Sequence, residues 1–313
     1  MFAANNMISR TNWILLSSLL GGLIAGQAAL ADDSKPELLQ AKGVENFYRL
    51  TQQFYSGSTP EGEAAFAELK KRGIRTIISV DGAKPDVATA KKFGLTYVHL
   101  PFGYDGIPSN QAMKLVKAGK ELPKPIYVHC HHGLHRGPAG AAVICEGVEQ
   151  WTPAQAHAWL KQAGTSTNYL GLYKSVETFR KPSDEELKKV PANFAESTET
   201  SPLVDAMVAI DEKFDNLKLI KKAGYQTPAS HPDLVPAHEA LLLEELFKEL
   251  LRSPASVGHG PDFQKQLATA GTAANDLHVA LAGQPIAVEK ADACLQNMSN
   301  SCTACHKTHR NGK

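Results

Sequence analysis

The chain has 313 residues, of which 43% are hydrophobic, and this length and composition predict two packed domains. The formal net charge of +1 gives no reason to expect nucleic acid or an anionic membrane surface as a partner. Five cysteines are too few for a disulfide scaffold, and their positions indicate chemistry instead.

The first segment has the pattern of a targeting signal. Arg10 precedes an apolar run over residues 13–25, and the small-x-small sequence Ala29-Leu30-Ala31 follows it. This order predicts a secretory signal over residues 1–31 that is cleaved after Ala31, and a periplasmic location. The alternative is an uncleaved membrane anchor, for which the apolar run is short. No later segment is long and apolar enough to cross a bilayer, so we expect no stable membrane insertion after cleavage.

Residues 45–180 alternate between two kinds of pattern. Short β-branched runs predict strands over residues 74–80, 95–100 and 126–129. Segments of helical composition lie before and between them, over residues 61–72, 85–93 and 110–120. This alternation predicts an α/β domain with a central, mainly parallel sheet.

The remainder of the chain consists of a polar segment followed by a segment with helical periodicity. Residues 181–202 are charged and rich in Pro, Ser and Thr, which predicts a linker with one possible helical turn at its start. Beyond it, apolar residues recur at steps of three and four in four segments separated by Pro and Gly. Residues 203–310 are therefore predicted to form an all-α four-helix bundle.

The last predicted helix carries the sequence Cys302-Thr303-Ala304-Cys305-His306. Two thiols three residues apart lie on one helical face and can add to the two vinyl groups of a porphyrin, while His306 can bind the iron as the proximal ligand. The alternative, half of a zinc site, lacks a second Cys pair in the sequence. We therefore expect one covalent haem c.

Residues 203–310 resemble cytochrome c-prime and its low-spin four-helix relatives. The resemblance rests on the attachment sequence near the C-terminus and on Arg310, four residues after His306. It implies that Arg310 lies near a haem propionate. The residue before this arginine is often aromatic in the family, whereas here it is His309.

The resemblance also implies that the first helix of the bundle faces the other side of the iron. Met207 lies on the apolar stripe of that helix, which makes it a candidate sixth ligand. A Met on such a stripe is more often only a core residue, and His238 and His278 are rival ligands.

Residues 126–137 have the pattern of a strand, a loop and the start of a helix. They contain His129-Cys130, five further residues and Arg136, with Gly133 in the middle of the loop. A loop wrapped at a helix N-terminus aims backbone N–H groups at one point, where a phosphate can bind. The residues predicted to surround the phosphate are His131, His132, Gly133, Leu134, His135 and Arg136.

This loop resembles that of the cysteine-dependent tyrosine and dual-specificity phosphatases, and the resemblance extends over about residues 46–180. It implies that Cys130 attacks phosphorus, that Arg136 binds two phosphate oxygens, and that His129 orients the loop. A carboxylic acid must protonate the leaving oxygen. Asp105 is the candidate and Asp81 is its rival.

Two features depart from the phosphatase pattern. The family usually has Ser or Thr after the arginine, to help expel the thiolate, whereas this chain has Gly137, which predicts slow turnover. Three histidines, His131, His132 and His135, crowd the loop. They either add positive charge, bind a metal ion or are merely tolerated there.

Taken together, the patterns predict an exported enzyme that hydrolyses phosphate monoesters, either small molecules or phosphoproteins, through a phosphocysteine. The fused haem domain implies redox or gas-ligand sensing or electron transfer, with a redox protein as a second partner. One alternative is a haem protein whose phosphatase-like domain binds an anion without turnover. Another is a sulfur carrier, against which His129 and the position of Arg136 weigh.

Overall fold

A computed structural model describes residues 35–167, 169–283 and 285–310. The predicted signal, residues 1–31, and its cleavage site lie outside the described residues. Among the described helices, none is both long and apolar enough to span a bilayer.

Six strands form one mixed sheet in the order β1-β2-β3-β6-β4-β5. Strands β3, β6, β4 and β5 run parallel, as the alternating pattern predicts. Strand β2 pairs antiparallel with β3, and β1 pairs antiparallel with β2 at the edge of the sheet. His129 at the end of β6 is level with Gly57 of β3 and Ser79 of β4, so the carboxyl ends of the central strands meet there. The strands are β1 (Glu37–Leu38), β2 (Tyr48–Arg49), β3 (Phe54–Gly57), β4 (Thr76–Ser79), β5 (Thr96–His99) and β6 (Ile126–His129).

Helices cover both faces of this sheet. Successive residues of a strand point to opposite faces, and Ile77 and Ile78 of β4 accordingly join two different hydrophobic clusters. Helix α4 follows β6 and is almost wholly buried, because a residue such as Gly140 lets it lie close to Val80 and Val128. The helices of this region are α1 (Gly62–Lys71), α2 (Val87–Lys92), α3 (Ser109–Glu121), α4 (Arg136–Val148), α5 (Pro153–Gln162), α6 (Leu170–Glu177) and α7 (Asp184–Lys188).

Glu146 of α4 is buried, and its Oε2 has no hydrogen-bonding partner among the described residues. Burial raises the pKa of this carboxyl from 4.5 to about 8. The folded chain therefore keeps its full stability below pH 4.5 and loses stability as the pH rises from 4.5 to about 8, because the unfolded chain ionises first. Each unit of pKa difference is worth about 1.4 kcal/mol.

Glu146→Gln is therefore expected to raise the free energy of unfolding by a few kcal/mol at pH 9 and by much less at pH 4. Urea denaturation at the two pH values measures this difference. The exposed Glu185 supplies the matched control, Glu185→Gln, which makes the same change of side chain without altering a buried carboxyl. A parallel pH dependence in wild type and Glu146→Gln would contradict the assignment.

Residues 181–202, the predicted linker with one possible helical turn at its start, lie against the α/β region. Helix α7 lies within this segment, and its Leu187 is buried against the hydrophobic core. Beyond α7 the segment follows the outer edge of β5, where the His99 N–H donates to the Ala195 carbonyl over 2.9 Å and the Thr198 N–H donates to His99 Nδ1 over 3.0 Å. This polar segment is held in place by buried residues such as Leu187 and by hydrogen bonds to the edge strand β5.

The C-terminal region is helical, as the apolar spacing at steps of three and four predicts. Helix α9 packs against α8 and α11, and α11 packs against α12. The side of each helix that carries the predicted apolar residues is buried in one shared hydrophobic cluster. The helices are α8 (Pro202–Lys222), α9 (Pro236–Arg252), α10 (Pro254–Val257), α11 (Pro261–Ala282) and α12 (Val288–His309).

The helical region contacts the carboxyl-end loops of the sheet. Val204 of α8 lies against Gly82, where an added Cβ would come within 2.5 Å of the valine methyl. The Arg310 guanidinium, at the end of α12, lies 3.7 Å from the centre of the Tyr104 ring. The two predicted reactive centres therefore face each other across one interface.

Candidate functional site

The loop between β6 and α4 is shaped by two glycines. Gly133 has φ +69°, and an added Cβ there would lie 2.2 Å from the Gly57 carbonyl carbon, so only glycine fits. Gly137, in the first turn of α4, would place an added Cβ 3.0 Å from the Cys130 nitrogen. Gly137 thus lets the first turn of α4 lie close to the backbone at Cys130.

Cys130 follows β6 directly and is 3% exposed. Helix α4 begins at Arg136, and no side chain of the described residues caps its N-terminus. The first N–H groups of a helix have no intrahelical acceptor, so those of α4 are free of a side-chain cap at the end where Cys130 lies. This arrangement suits an anion, because the helix dipole adds a positive field there.

Arg136 is held in place by two neighbours. Its Nη2 donates a hydrogen bond to Asp81 Oδ1 over 3.0 Å, and its guanidinium lies 4.4 Å from the centre of the Tyr104 ring. Among the described residues, Asp81 Oδ2 and Arg136 Nε have no hydrogen-bonding partner although both are buried. A bound oxyanion would satisfy the arginine nitrogen.

The two candidate acids occupy different environments. Burial alone would raise the pKa of Asp81, but the Arg136 charge and the Ala83 N–H outweigh it and lower that pKa to about 2. Asp81 is therefore an anion at neutral pH. Asp105 is exposed on the loop after β5, next to Tyr104. This loop packs closely against Gly171, where an added Cβ would collide with the Asp105 carbonyl.

His129 lies beneath the loop rather than in it. Its Nε2 is 2.6 Å from the Tyr97 hydroxyl and its Nδ1 is 3.4 Å from Thr59 Oγ1. Burial lowers the pKa of His129 to about 4, so the ring is neutral at pH 7. The Thr59 N–H also donates to the His131 carbonyl over 2.9 Å, which ties β3 to the loop. The sequence pattern gives no signal for Tyr97 or Thr59, because these contacts join separate strands.

The side chains of the loop histidines turn to protein partners. His131 Nε2 lies 3.1 Å from Asp215 Oδ2 of α8, and this hydrogen bond raises the pKa of His131. The His135 ring lies 4.8 Å from that of Tyr169, and burial together with the Arg310 charge lowers the pKa of His135 to about 4. Their backbone N–H groups, rather than their imidazoles, are therefore the groups that can meet an anion.

Leu134 and His132 complete the predicted phosphate loop. The Leu134 carbonyl accepts a hydrogen bond from Thr165 Oγ1 over 2.7 Å, and the His132 carbonyl accepts one from Asn46 Nδ2 over 2.9 Å. Both carbonyls thus point to protein donors, which leaves the amide side of the loop for a ligand. Burial lowers the pKa of His132.

A cavity of about 670 Å³ lies between this loop and the helical region. Its volume is in the usual range for a cofactor or small-molecule site. The phosphate-loop side of its wall includes Asp81, Tyr104, His131 and Arg136. The helical side includes Met207, Phe214, Phe247, Phe263, Cys302, Cys305, His306 and Arg310.

The predicted haem residues converge on this cavity. Cys302, Cys305 and His306 line it from α12, and Met207 lines it from α8. Burial and the nearby Arg310 charge lower the pKa of His306 to about 4, so the imidazole is neutral, as a metal ligand must be. Two thiols, a neutral imidazole and apolar walls in one cavity fit a covalently attached haem.

The rival iron ligands lie elsewhere. His278 Nδ1 is 2.7 Å from Glu244 Oε2, and His238 is exposed. Neither histidine is among the described residues that line the cavity, whereas Met207 is one of them.

No protein-family model matches the chain. Its N-terminal region resembles solved structures of cysteine-based phosphatases. TpbA from P. aeruginosa is 19% identical, with 51% of this chain and 98% of that chain covered and a TM-score of 0.41. The core catalytic domain of the PP-IP phosphatase SIW14 from S. cerevisiae, in complex with citrate, is 18% identical, with 48% and 93% covered and a TM-score of 0.40. A putative phosphatase from Shewanella putrefaciens CN-32 is 19% identical, with 43% and 92% covered and a TM-score of 0.35.

Proposed function

We propose that the chain is a cysteine-dependent phosphatase that acts on phosphate monoesters and carries a covalent haem c. The observation that carries the phosphatase proposal is the construction of the loop around Cys130. The thiol lies at the uncapped N-terminus of α4, and a buried Arg136 is fixed beside it by Asp81. Few other chemistries need a thiol, a helix N-terminus and a bidentate guanidinium together.

The reaction that this geometry supports has two steps. Cys130 Sγ, as the thiolate, attacks phosphorus, the bond from phosphorus to the ester oxygen breaks, and an acid gives that oxygen a proton. Water then attacks the phosphocysteine, the sulfur–phosphorus bond breaks, and the thiolate and inorganic phosphate are released. Arg136 and the α4 N–H groups bind the phosphoryl oxygens in both steps.

Trapping of the intermediate tests this proposal. The chain is mixed with an excess of an aryl phosphate, quenched in acid and digested, and the peptides are weighed by mass spectrometry. The peptide with Cys130 should gain the mass of one phosphoryl group, and the peptide with Cys294 should not. A reaction that releases phosphate while Cys130 stays unmodified at every quench time would refute the mechanism.

The haem proposal rests on the cavity lining. Cys302 and Cys305 would hold the porphyrin by thioether bonds, His306 and Met207 would supply ligands to the iron, and Arg310 would bind a propionate. When bound, a haem c supplies an iron centre that can exchange electrons or bind a gas ligand. The helical region would then be a four-helix bundle of the cytochrome c-prime type, with a redox protein as partner and a periplasmic location after cleavage behind Ala31.

Attachment is tested by whether haem stays with the unfolded chain. Haem staining of a denaturing gel should label the wild-type band, because thioether bonds survive denaturation. Cys302→Ala with Cys305→Ala should lose the stain, whereas Cys294→Ala, a change of a buried thiol on the same helix, should keep it. Removal of all haem from the wild-type chain by acid–acetone would contradict covalent attachment.

A second candidate function is a haem protein whose loop binds an anion without turnover. Gly137 favours it, because no hydroxyl follows Arg136 to assist release of the thiolate. This function would be identified by vanadate that binds in competition with phosphate monoesters while no monoester releases phosphate.

A further inference from the structure

We propose that His131, His132 and Asp215 form a binding site for a divalent metal ion such as Zn²⁺, which joins the phosphate loop to α8. The two imidazole nitrogens and the carboxylate oxygen all lie within 4.8 Å of one another. His131 Nε2 is 3.1 Å and His132 Nε2 is 3.7 Å from the same atom, Asp215 Oδ2. Ligand atoms around a tetrahedral zinc ion, with bonds of about 2.1 Å, lie about 3.4 Å apart.

An ordinary ion pair does not account for this cluster. One hydrogen bond from His131 would satisfy Asp215 Oδ2, but His132 also points its Nε2 at that oxygen from a distance too long for a hydrogen bond. The two rings lie 4.1 Å apart, centre to centre. Two imidazoles that converge on one carboxylate oxygen form a donor set typical of zinc and other borderline metal ions.

The surroundings hold each donor in position. Lys218 Nζ donates to Asp215 Oδ1 over 2.6 Å, so the other carboxylate oxygen, Oδ2, is left for the histidines. The carbonyls of His131 and His132 accept hydrogen bonds from Thr59 and Asn46, which pins the backbone of both. Such outer contacts orient ligands in metal sites.

Exposure and charge also suit a cation. The three donor side chains are 26% to 41% exposed, so water can reach the remaining coordination position. Asp211, one turn before Asp215, acts on His131 electrostatically. Two carboxylates and one Lys218 ammonium leave a net negative charge to attract a divalent ion.

The site would connect the two reactive centres of the chain. His131 and His132 follow Cys130 directly, and Asp215 lies on the helix that carries Met207 into the cavity. A metal ion there would fix α8 against the phosphate loop. This inference is independent of phosphatase activity, because it needs neither the thiol nor turnover.

Isothermal titration calorimetry of Zn²⁺ binding to the full-length, haem-loaded chain tests the site. Wild type should bind one Zn²⁺, and Asp215→Asn and His132→Ala should each weaken binding by about 10–100-fold or more. Lys218→Gln removes an outer contact of Asp215 but keeps all three ligands, so it should weaken binding less than the loss of a ligand does. His157→Ala, which disrupts a separate His–Glu pair with His157 Nδ1 2.5 Å from Glu177 Oε1, should retain the affinity.

X-ray absorption at the zinc edge separates this site from a thiol site. Nitrogen and oxygen ligands at about 2.0–2.2 Å would support the proposal, whereas a sulfur ligand at about 2.3 Å would overturn it. Undiminished affinity in Asp215→Asn, or a loss in Cys130→Ser that matches the loss in Asp215→Asn, would also overturn it.

Discussion

Cys130→Ser is expected to lower the rate of aryl phosphate hydrolysis by about 10⁴-fold or more. A serine hydroxyl is a far weaker nucleophile than a cysteine sulfur, so the attack on phosphorus is lost. Steady-state assays with the purified chain measure the loss. The matched control is Cys145→Ala, since Cys145 is fully buried near the C-terminal end of α4, away from the loop, and should leave hydrolysis unchanged.

The same variant also separates loss of chemistry from loss of folding. The α4 N-terminus and Arg136 are intact in Cys130→Ser, so inorganic phosphate should still bind, with an affinity close to that of wild type. Arg136→Ala should instead lose phosphate binding, because it removes the bidentate donor. Hydrolysis at the wild-type rate by Cys130→Ser would show that another group attacks phosphorus.

Asp105→Asn is expected to slow hydrolysis by about 10²–10⁴-fold, the usual contribution of a positioned general acid. Asp81 is less suited to this role, since its pKa of about 2 and its bond to Arg136 keep it ionised at neutral pH. Asp105 is exposed and directly follows Tyr104, whose ring lies over Arg136, which makes it the better candidate for the acid. Assays with a series of phenols as leaving groups measure the effect.

The dependence on the leaving group distinguishes the two aspartates. Loss of the acid should be severe for a poor leaving group and small for a good one, because only a poor leaving group needs the proton. Asp81→Asn should instead raise KM for every ester alike, because it releases Arg136 from its partner. If Asp81→Asn rather than Asp105→Asn gave the dependence on the leaving group, the roles would be reversed.

The sequence predicts the regular elements well where a period is long enough to read. The apolar spacing of three and four gives the positions of α8, α9, α11 and α12, and β-branched runs give β4, β5 and β6. Strands β1 and β2 have two residues each, which is too short for any period. Helix α5 is absent from the predicted elements although its start carries a local signal, since Thr152, Pro153 and Gln155 form a capping box with proline at the first helical position.

The candidate site is predictable only as far as its residues are close in the sequence. The loop from His129 to Arg136 and the haem attachment sequence are local patterns, so both can be recognised from the order of the amino acids alone. The bond from Arg136 to Asp81 spans 55 residues and the contact of His131 with Asp215 spans 84. Such pairs depend on which strand ends and helices the fold brings together. The amino-acid composition does not indicate these long-range contacts.

The segment that follows α7 along β5 bears on how the chain can be divided for separate expression. β5 is the outermost parallel strand, and an uncovered strand edge is a template for pairing with another molecule. A truncation at residue 180, where composition suggests a boundary, would remove Ala195 and Thr198, which bond to His99. The edge of β5 would then be exposed, and the fragment is expected to self-associate. A fragment that ends after residue 200 would keep that edge covered and remain monodisperse.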